Sequence, residues 1–161
     1  MVFFAHPITE MENTPKDLLL AACRKYVDQR IANAQEAIAA ASEAAADDTK
    51  SSAGDKFETT REMMQQELDR HHQLLVDAKR MEQTLDTMDI RVTGGPVRTG
   101  SIVTTNRGAF FIAISLGQLP MDGQTYWVIS PASPLAQCFI GAQVGQIVAF
   151  NGTDYIITAI A

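Results

Sequence analysis

Glu67 and His71 stand four residues apart with His72 beside them. On a helix that spacing sets a carboxylate and an imidazole on one face, as two ligands of a divalent metal would stand. A third ligand at matching spacing is missing, and the competing reading is that His71 fills a helical seam while His72 is solvated. Confined in a seam, His71 would loosen the helices on protonation at mildly acid pH. Cys23 and Cys138 are far apart and form no C-x-x-C pair, which supports neither a zinc site nor a disulfide framework. Both are expected to be buried thiols. Thr14, Thr60 and the serines lack a His-Asp context for nucleophilic catalysis. Gly94-Gly95-Pro96 is followed by no G-K-[ST] and reads as a linker turn. With a net charge of -6 and no basic aromatic patch, direct binding to duplex DNA is not expected.

The elements that position these residues divide the chain in two. Residues 1–89 hold 10 Lys+Arg against 17 Asp+Glu, whereas residues 90–161 hold 3 against 2. The first part has no glycine except Gly54 and no proline after Pro15; the second has nine of the ten glycines and the only tryptophan. A boundary near Asp89-Ile90 follows. The expected organisation is a loose arm over 1–12, an acidic helical hairpin over 13–89 with its tip near 46–56, and a β-rich unit over 90–161. The opening Met1-Val2-Phe3-Phe4-Ala5 run is too short for a signal-peptide core and lacks a basic leader, and Met11 would make an alternative start. No apolar run reaches the ~18 residues of a spanning helix. A cytoplasmic location is expected.

Thr14 as cap, Pro15 at the first helical position and Asp17 at the positive end of the dipole predict a helix start. Leu20, Val27, Ile31, Ala34, Ile38, Ala41 and Ala45 then follow, with steps from Val27 alternating four and three, so that one seam faces a partner helix. A second helix is predicted from Lys56 to Met88, with Phe57, Met64, Leu68, Leu75, Ala78 and Leu85 on its stripe, Leu74, Met81 and Met88 alongside, and His71 on the seam. The polar stretch from Asp47 to Asp55 joins the two as an antiparallel hairpin. Residues 15–46 make a rod of about 48 Å, longer than a compact domain of this mass needs. Such a rod either reaches for something or serves as a dimerisation arm. The second part alternates β-type runs at 101–104, 109–114, 125–129, 147–150 and 155–158 with turn residues. Ser133 caps, Pro134 opens and Gly141 ends a short helix among them. The expected class is α+β, a helical hairpin followed by a small antiparallel β unit with one short helix.

Ile129-Ser130-Pro131-Ala132-Ser133-Pro134-Leu135-Ala136, followed by Ile140-Gly141, Val144-Gly145, Ile147-Val148 and Tyr155-Ile156-Ile157, resembles the C-terminal signature of the Gre-type transcript cleavage factors of bacterial RNA polymerase. The likeness spans 100–160, and the hairpin is similar in architecture and in Phe57, Arg61 and Glu62. The resemblance implies an FKBP-like β unit that docks at the rim of the polymerase secondary channel while the hairpin threads inward. It also implies that tip carboxylates help the polymerase's active site hold a second Mg²⁺ and a water, so that backtracked RNA is hydrolysed. Mg²⁺ prefers oxygen ligands and keeps several waters, so one or two added carboxylates complete such a site. Where the family has an Asp and a Glu, this chain has Ser51 and Gly54. The carboxylates at this end are Asp55, Asp48, Asp47 and Glu58, which otherwise serve as solvated turn and capping charges.

Ser130, Ser133, Pro134 and Leu135 form the candidate docking loop; a strand-to-helix turn would need the same Ser-Pro start. Ala142, Gln143 and Gln146 stand where the family often carries charge, so a less ionic contact is expected. Phe110, Trp127 and Phe150 are the residues that a prolyl-isomerase pocket of an FKBP-like unit would use, although aromatics alternating in strands are more often core. The expected function is therefore that of a polymerase-binding elongation factor that is not itself an enzyme and has no cofactor or metal of its own. It would act on backtracked complexes, meet nascent RNA only through the polymerase, touch no membrane and work as a monomer. The rivals are a non-cleaving regulator of a polymerase or a kinase with the same architecture, and a structural coiled-coil interaction protein.

Overall fold

The computed structural model describes residues 14–49 and 55–161, and of residues 48, 49 and 55–57 it describes the backbone. The expected arm at 1–12, and Ser51 and Gly54, lie outside the described residues. Helix α1 runs Pro15–Thr49 and helix α2 runs Asp55–Thr87. α1 continues past the predicted Ala46 because no glycine or proline follows until Gly54. At its start, Thr14 Oγ1 accepts from the backbone N–H of Asp17 (3.2 Å), and Asp17 Oδ2 accepts in return from the backbone N–H of Thr14 (3.0 Å). Two of the orphan donors of the first turn are thereby satisfied reciprocally, as in a capping box.

Six strands follow: β1 Ile102–Thr105, β2 Gly108–Ile112, β3 Gly117–Met121, β4 Gln124–Ile129, β5 Ile147–Phe150 and β6 Thr153–Ile160, with a short helix α3, Pro134–Phe139, between β4 and β5. Their order in the sheet is β3-β4-β2-β1-β6-β5. Four pairings are antiparallel, as the expected class requires. β2 and β4 pair in parallel, because the chain leaves β2, makes β3 as the outer strand and returns through β4 between them. β3 is the strand that the sequence reading leaves as loop; Pro120 lies within it, tolerated because the strand is at the edge. The β3–β4 and β5–β6 hairpins close on Asp122-Gly123 and Asn151-Gly152, whose four φ values are all positive, as a type I′ turn requires.

Each face of the sheet is covered by different helices. On one face Leu19, Cys23 and Val27 of α1 and Leu85 of α2 join Ile102, Ala109, Phe111, Tyr126 and Val128 in a single buried cluster. On the other, Ala136 and Phe139 of α3 pack with Val97, Val103, Phe110, Ile112, Val148 and Ile157. The rings of Phe110, Phe139 and Tyr155 meet at 5.2, 5.9 and 5.5 Å between centroids, which locks α3 onto the strands. Phe110 is thus core, whereas Trp127 is substantially exposed. Cys23 is buried as expected, but Cys138 is exposed. α3 turns Ala136 and Phe139 inward, three residues apart, and Cys138 falls on the opposite side.

The hairpin is anchored only near its open end. Lys16, Leu19, Cys23, Val27, Ala34, Ala78 and Leu85 are its buried residues, and no described side chain over 35–47 or 58–77 is fully buried. Beyond the sheet the two helices have only each other to pack on, so their seam residues Ile38, Ala41, Met64, Leu68 and Leu75 remain half-buried.

Candidate functional site

The acidic end of the rod is built by the two helix ends. Asp47 and Asp48 lie in the last turn of α1, where the helix dipole disfavours negative charge, and no basic residue compensates them there. Asp55 and Glu58 lie in the first turn of α2, where it is favoured. The side chains of Asp47 and Glu58 are exposed, and neither makes an ion pair among the described residues. The side chains of Asp48, Asp55 and Phe57 are not described, and Arg61 and Glu62 are exposed. Among the described residues no three His, Cys, Asp or Glu side chains converge on a metal position. The exposed carboxylates of Asp47 and Glu58 are oxygen donors of the type that hard cations prefer.

The candidate docking loop lies about the start of α3. Ser130 Oγ accepts from the N–H of Ala132 (3.1 Å), and its carbonyl accepts from the N–H of Ser133 (3.0 Å). Ser133 caps α3, its Oγ accepting from the N–H of Ala136 (3.3 Å). Gln137 Nε2 donates to the carbonyl of Pro131. Leu135 packs against the α3 side of the core. Of the four candidates, Ser130 and Ser133 spend their hydroxyls on shaping the turn and Leu135 anchors it, which leaves Pro134, with Ala132, presented to solvent. Nearby, Gln143 and Gln146 are exposed, with the Gln146 side chain accepting from the N–H of Gln143 (3.1 Å), whereas Ala142 is buried.

His71 does sit in the hairpin seam, its side chain 17% exposed, with Nε2 3.7 Å from Glu67 Oε1; His72 points to solvent. With Arg30, Asn33, Ala34, Ala37 and Leu74 it lines a shallow groove of about 290 Å³. Leu74, placed alongside the stripe by the sequence reading, is 40% exposed at the rim of that groove.

The junction between the hairpin and the strands holds residues that the sequence reading passed over. Lys16 is buried, and its Nζ donates to the carbonyl of Val92 at 2.9 Å. Burial lowers its pKa from the ordinary value, the positive charge of Arg98 adds to the lowering, and Asp89 opposes it. Asp89 is itself held below the carboxylate range, chiefly by the backbone N–H of Arg91 and then by its side chain. Gly100, at φ +93°, passes so close to the carbonyl of Asp89 that a Cβ there would stand 3.2 Å from that oxygen. Val97 exchanges hydrogen bonds with the end of α3, donating to Ala142 (2.9 Å) and accepting from Gly141 (2.8 Å). Arg24 and Asp86 pair at 2.7 Å across the base of the hairpin. A lysine in a helical first turn reads as solvated unless the strap that will cover it is known, so nothing in the local pattern marks Lys16.

No family model matches the chain, and no curated protein matches it. Among solved structures, one described as that of the transcription factor Gfh1 is similar over 84% of this chain and 91% of that chain, at 17% identity and a TM-score of 0.33, a coarse relation. No helix among the described residues is long and apolar enough to cross a membrane.

Proposed function

We propose that the protein is a Gre-like transcription elongation factor that binds RNA polymerase, enters the secondary channel with its hairpin and acts on backtracked complexes. Two strings in the sequence support the reading, the Ile129–Ala136 segment and the Ile140-Gly141 to Val148 segment that follows. The observation that carries it is the unequal burial of the hairpin. Helices of 35 and 33 residues are fastened to the sheet at one end only, and the other end is acidic. A rod held at its base and charged at its tip is shaped to reach into something.

In this reading Asp55, Asp48, Asp47 and Glu58 add carboxylate oxygens beside a second Mg²⁺ of the polymerase's own active site, which supplies the charge that activates a water against the RNA phosphodiester. The chain itself is no enzyme and carries no cofactor. The face around Pro134 meets the polymerase through uncharged contacts. The FKBP-like character of the β unit and a bacterial, cytoplasmic setting belong to the same proposal.

A backtracked elongation complex tests it. Adding the protein is expected to release short 3′ RNA, and a variant with Asp47, Asp48 and Asp55 changed to Asn is expected to lose that release. Competition with another secondary-channel factor without any release would convert the reading to a non-cleaving regulator, which the Ser51 and Gly54 substitutions favour. Neither release nor competition would sink the polymerase reading and leave a structural coiled-coil protein.

A further inference from the structure

The sheet has two edges, and only one is protected. β3 carries Pro120, which cannot donate to a further strand. β5, Ile147-Val148-Ala149-Phe150, carries neither proline nor charge and is the outermost strand on the other side. It lies in a run from Gly123 to Thr153 without one Asp, Glu, Lys, Arg or His. Val144 is 60% and Ile147 61% exposed, and Ile156, the cross-strand partner of Ile147, is 41% exposed. Ile147 and Ile156 share the sheet face that the hairpin base covers only at the other end, and Val144 is exposed in the loop that leads into β5.

The register shows which backbone groups of β5 are free. Ile156 directs its backbone towards β1: its N–H donates to Asn106 Oδ1 (2.8 Å) and its carbonyl accepts from the N–H of Asn106 (3.2 Å). The Ile147–Ile156 pair is therefore of the kind that exchanges no hydrogen bonds. By alternation Val148 and Phe150 bond to β6, and Ile147 and Ala149 turn their N–H and C=O outward. Among the described residues no turn, loop or cap hydrogen bond engages Ile147–Phe150.

We propose that this edge pairs with the same edge of a second copy, antiparallel about a two-fold axis through Val148. In that register Ile147 lies opposite the second copy's Ala149 as a hydrogen-bonded pair, and Val148 lies opposite Val148. The register places a large side chain beside a small one on the face where both are exposed, so the two isoleucines do not collide. Charge favours a second copy as occupant. The excess of acid sits in residues 1–89, whose buried residues pack against β1, β2 and β4, so joined β5 edges keep the two acidic rods at opposite ends and bring two uncharged strands together, with Asp154, the cross-strand partner of Ala149, one strand behind each. A four-residue strand buries an area at the low end of interface sizes, below about 1,200 Å², so the pair is weak and concentration-dependent. It leaves both tips free, so it stands independently of the polymerase reading.

Sedimentation of the full chain from micromolar to near-millimolar concentration tests the proposal. The average mass is expected to climb from one copy towards two. Ile147→Lys, at an exposed position, and Ala149→Pro, which removes an outward N–H without touching the β5–β6 ladder, are each expected to abolish the climb while the circular dichroism stays native. A mass that stays at one copy throughout overturns it. So does a dimer that survives both variants, which would place the contact on the hairpin, and so does a monomer that instead binds an extended apolar peptide at β5.

Discussion

The base and the far half of the hairpin have nearly the same helical grammar and different physics. At the base, α1 has two partners, α2 and the sheet, and Leu19, Cys23, Val27 and Leu85 are sealed between them. Beyond Ala34 and before Ala78 the helices have one partner each, the seam is rich in alanine, and no described side chain is fully buried. Helix stability in proteins comes mainly from tertiary packing of one face. The base is accordingly expected to open only with the whole molecule, whereas the far half opens locally at lower cost.

The largest contrast is chemical. Burial pushes the Cys23 thiol up from 9.0 to about 12. At mildly alkaline pH its thiolate is then about a thousandfold scarcer than that of an unperturbed thiol, before steric protection is counted. A thiol reagent should label the exposed Cys138 promptly and Cys23 only when the base unfolds; prompt modification of both would contradict the sealed base. Next in size, Leu19→Ala at the base should cost about 3 kcal/mol, while Leu68→Ala in the far half should cost about 1 kcal/mol, because a half-exposed site loses less transfer energy and leaves no cavity. Equal shifts in urea midpoint would erase the distinction. Smaller still, Arg24→Met should cost about 0.2–1 kcal/mol, since the Arg24–Asp86 pair is roughly half exposed on both sides and screened. Salt should shrink even that.

The smallest effect belongs to Asp89. Its carboxyl is lowered in the folded state, so the stability it adds is complete above the ordinary value of 3.8 and is lost as pH falls through the lower folded value. Asp89→Asn should lower stability slightly and uniformly across the neutral range and converge with the parent chain as pH falls through the lowered folded value, as thermal melts from neutral to acid pH would record.

Much of the fold is legible where one rule decides alone. The heptad stripe from Val27 to Ala45, the Thr14-Pro15-Asp17 start, the Ser133-Pro134 start of α3 and the strands of alternating or aromatic residues are all found where periodicity and capping place them. Reading fails where two rules meet. Leu19 and Cys23 are the most buried residues of α1 because a sheet, absent from any heptad argument, covers a second flank. β3 is hidden by Pro120, which an edge strand tolerates and a central one would not. Residue type alone puts Cys138 inside, but helix phase places it outside. Of the candidate site, the acids are visible as residue types, while the local duties of Ser130 and Ser133 emerge only from their hydrogen bonds. The free edge of β5 is a property of strand order, which no local window contains.

The strap from Asp89 to Gly100, pinned by Lys16 on one side and by the end of α3 on the other, has a mechanical meaning. α1 extends about 52 Å from its first turn, so one degree of tilt at the root swings the tip by about 0.9 Å. A group that must meet a reacting centre has a tolerance of about 0.5 Å. In the proposed role, the aim of the tip carboxylates would therefore be set by the stiffness of a clamp half a hundred ångströms away, about the buried amine of Lys16. A lever of this length magnifies slackness at its fulcrum as faithfully as it magnifies reach.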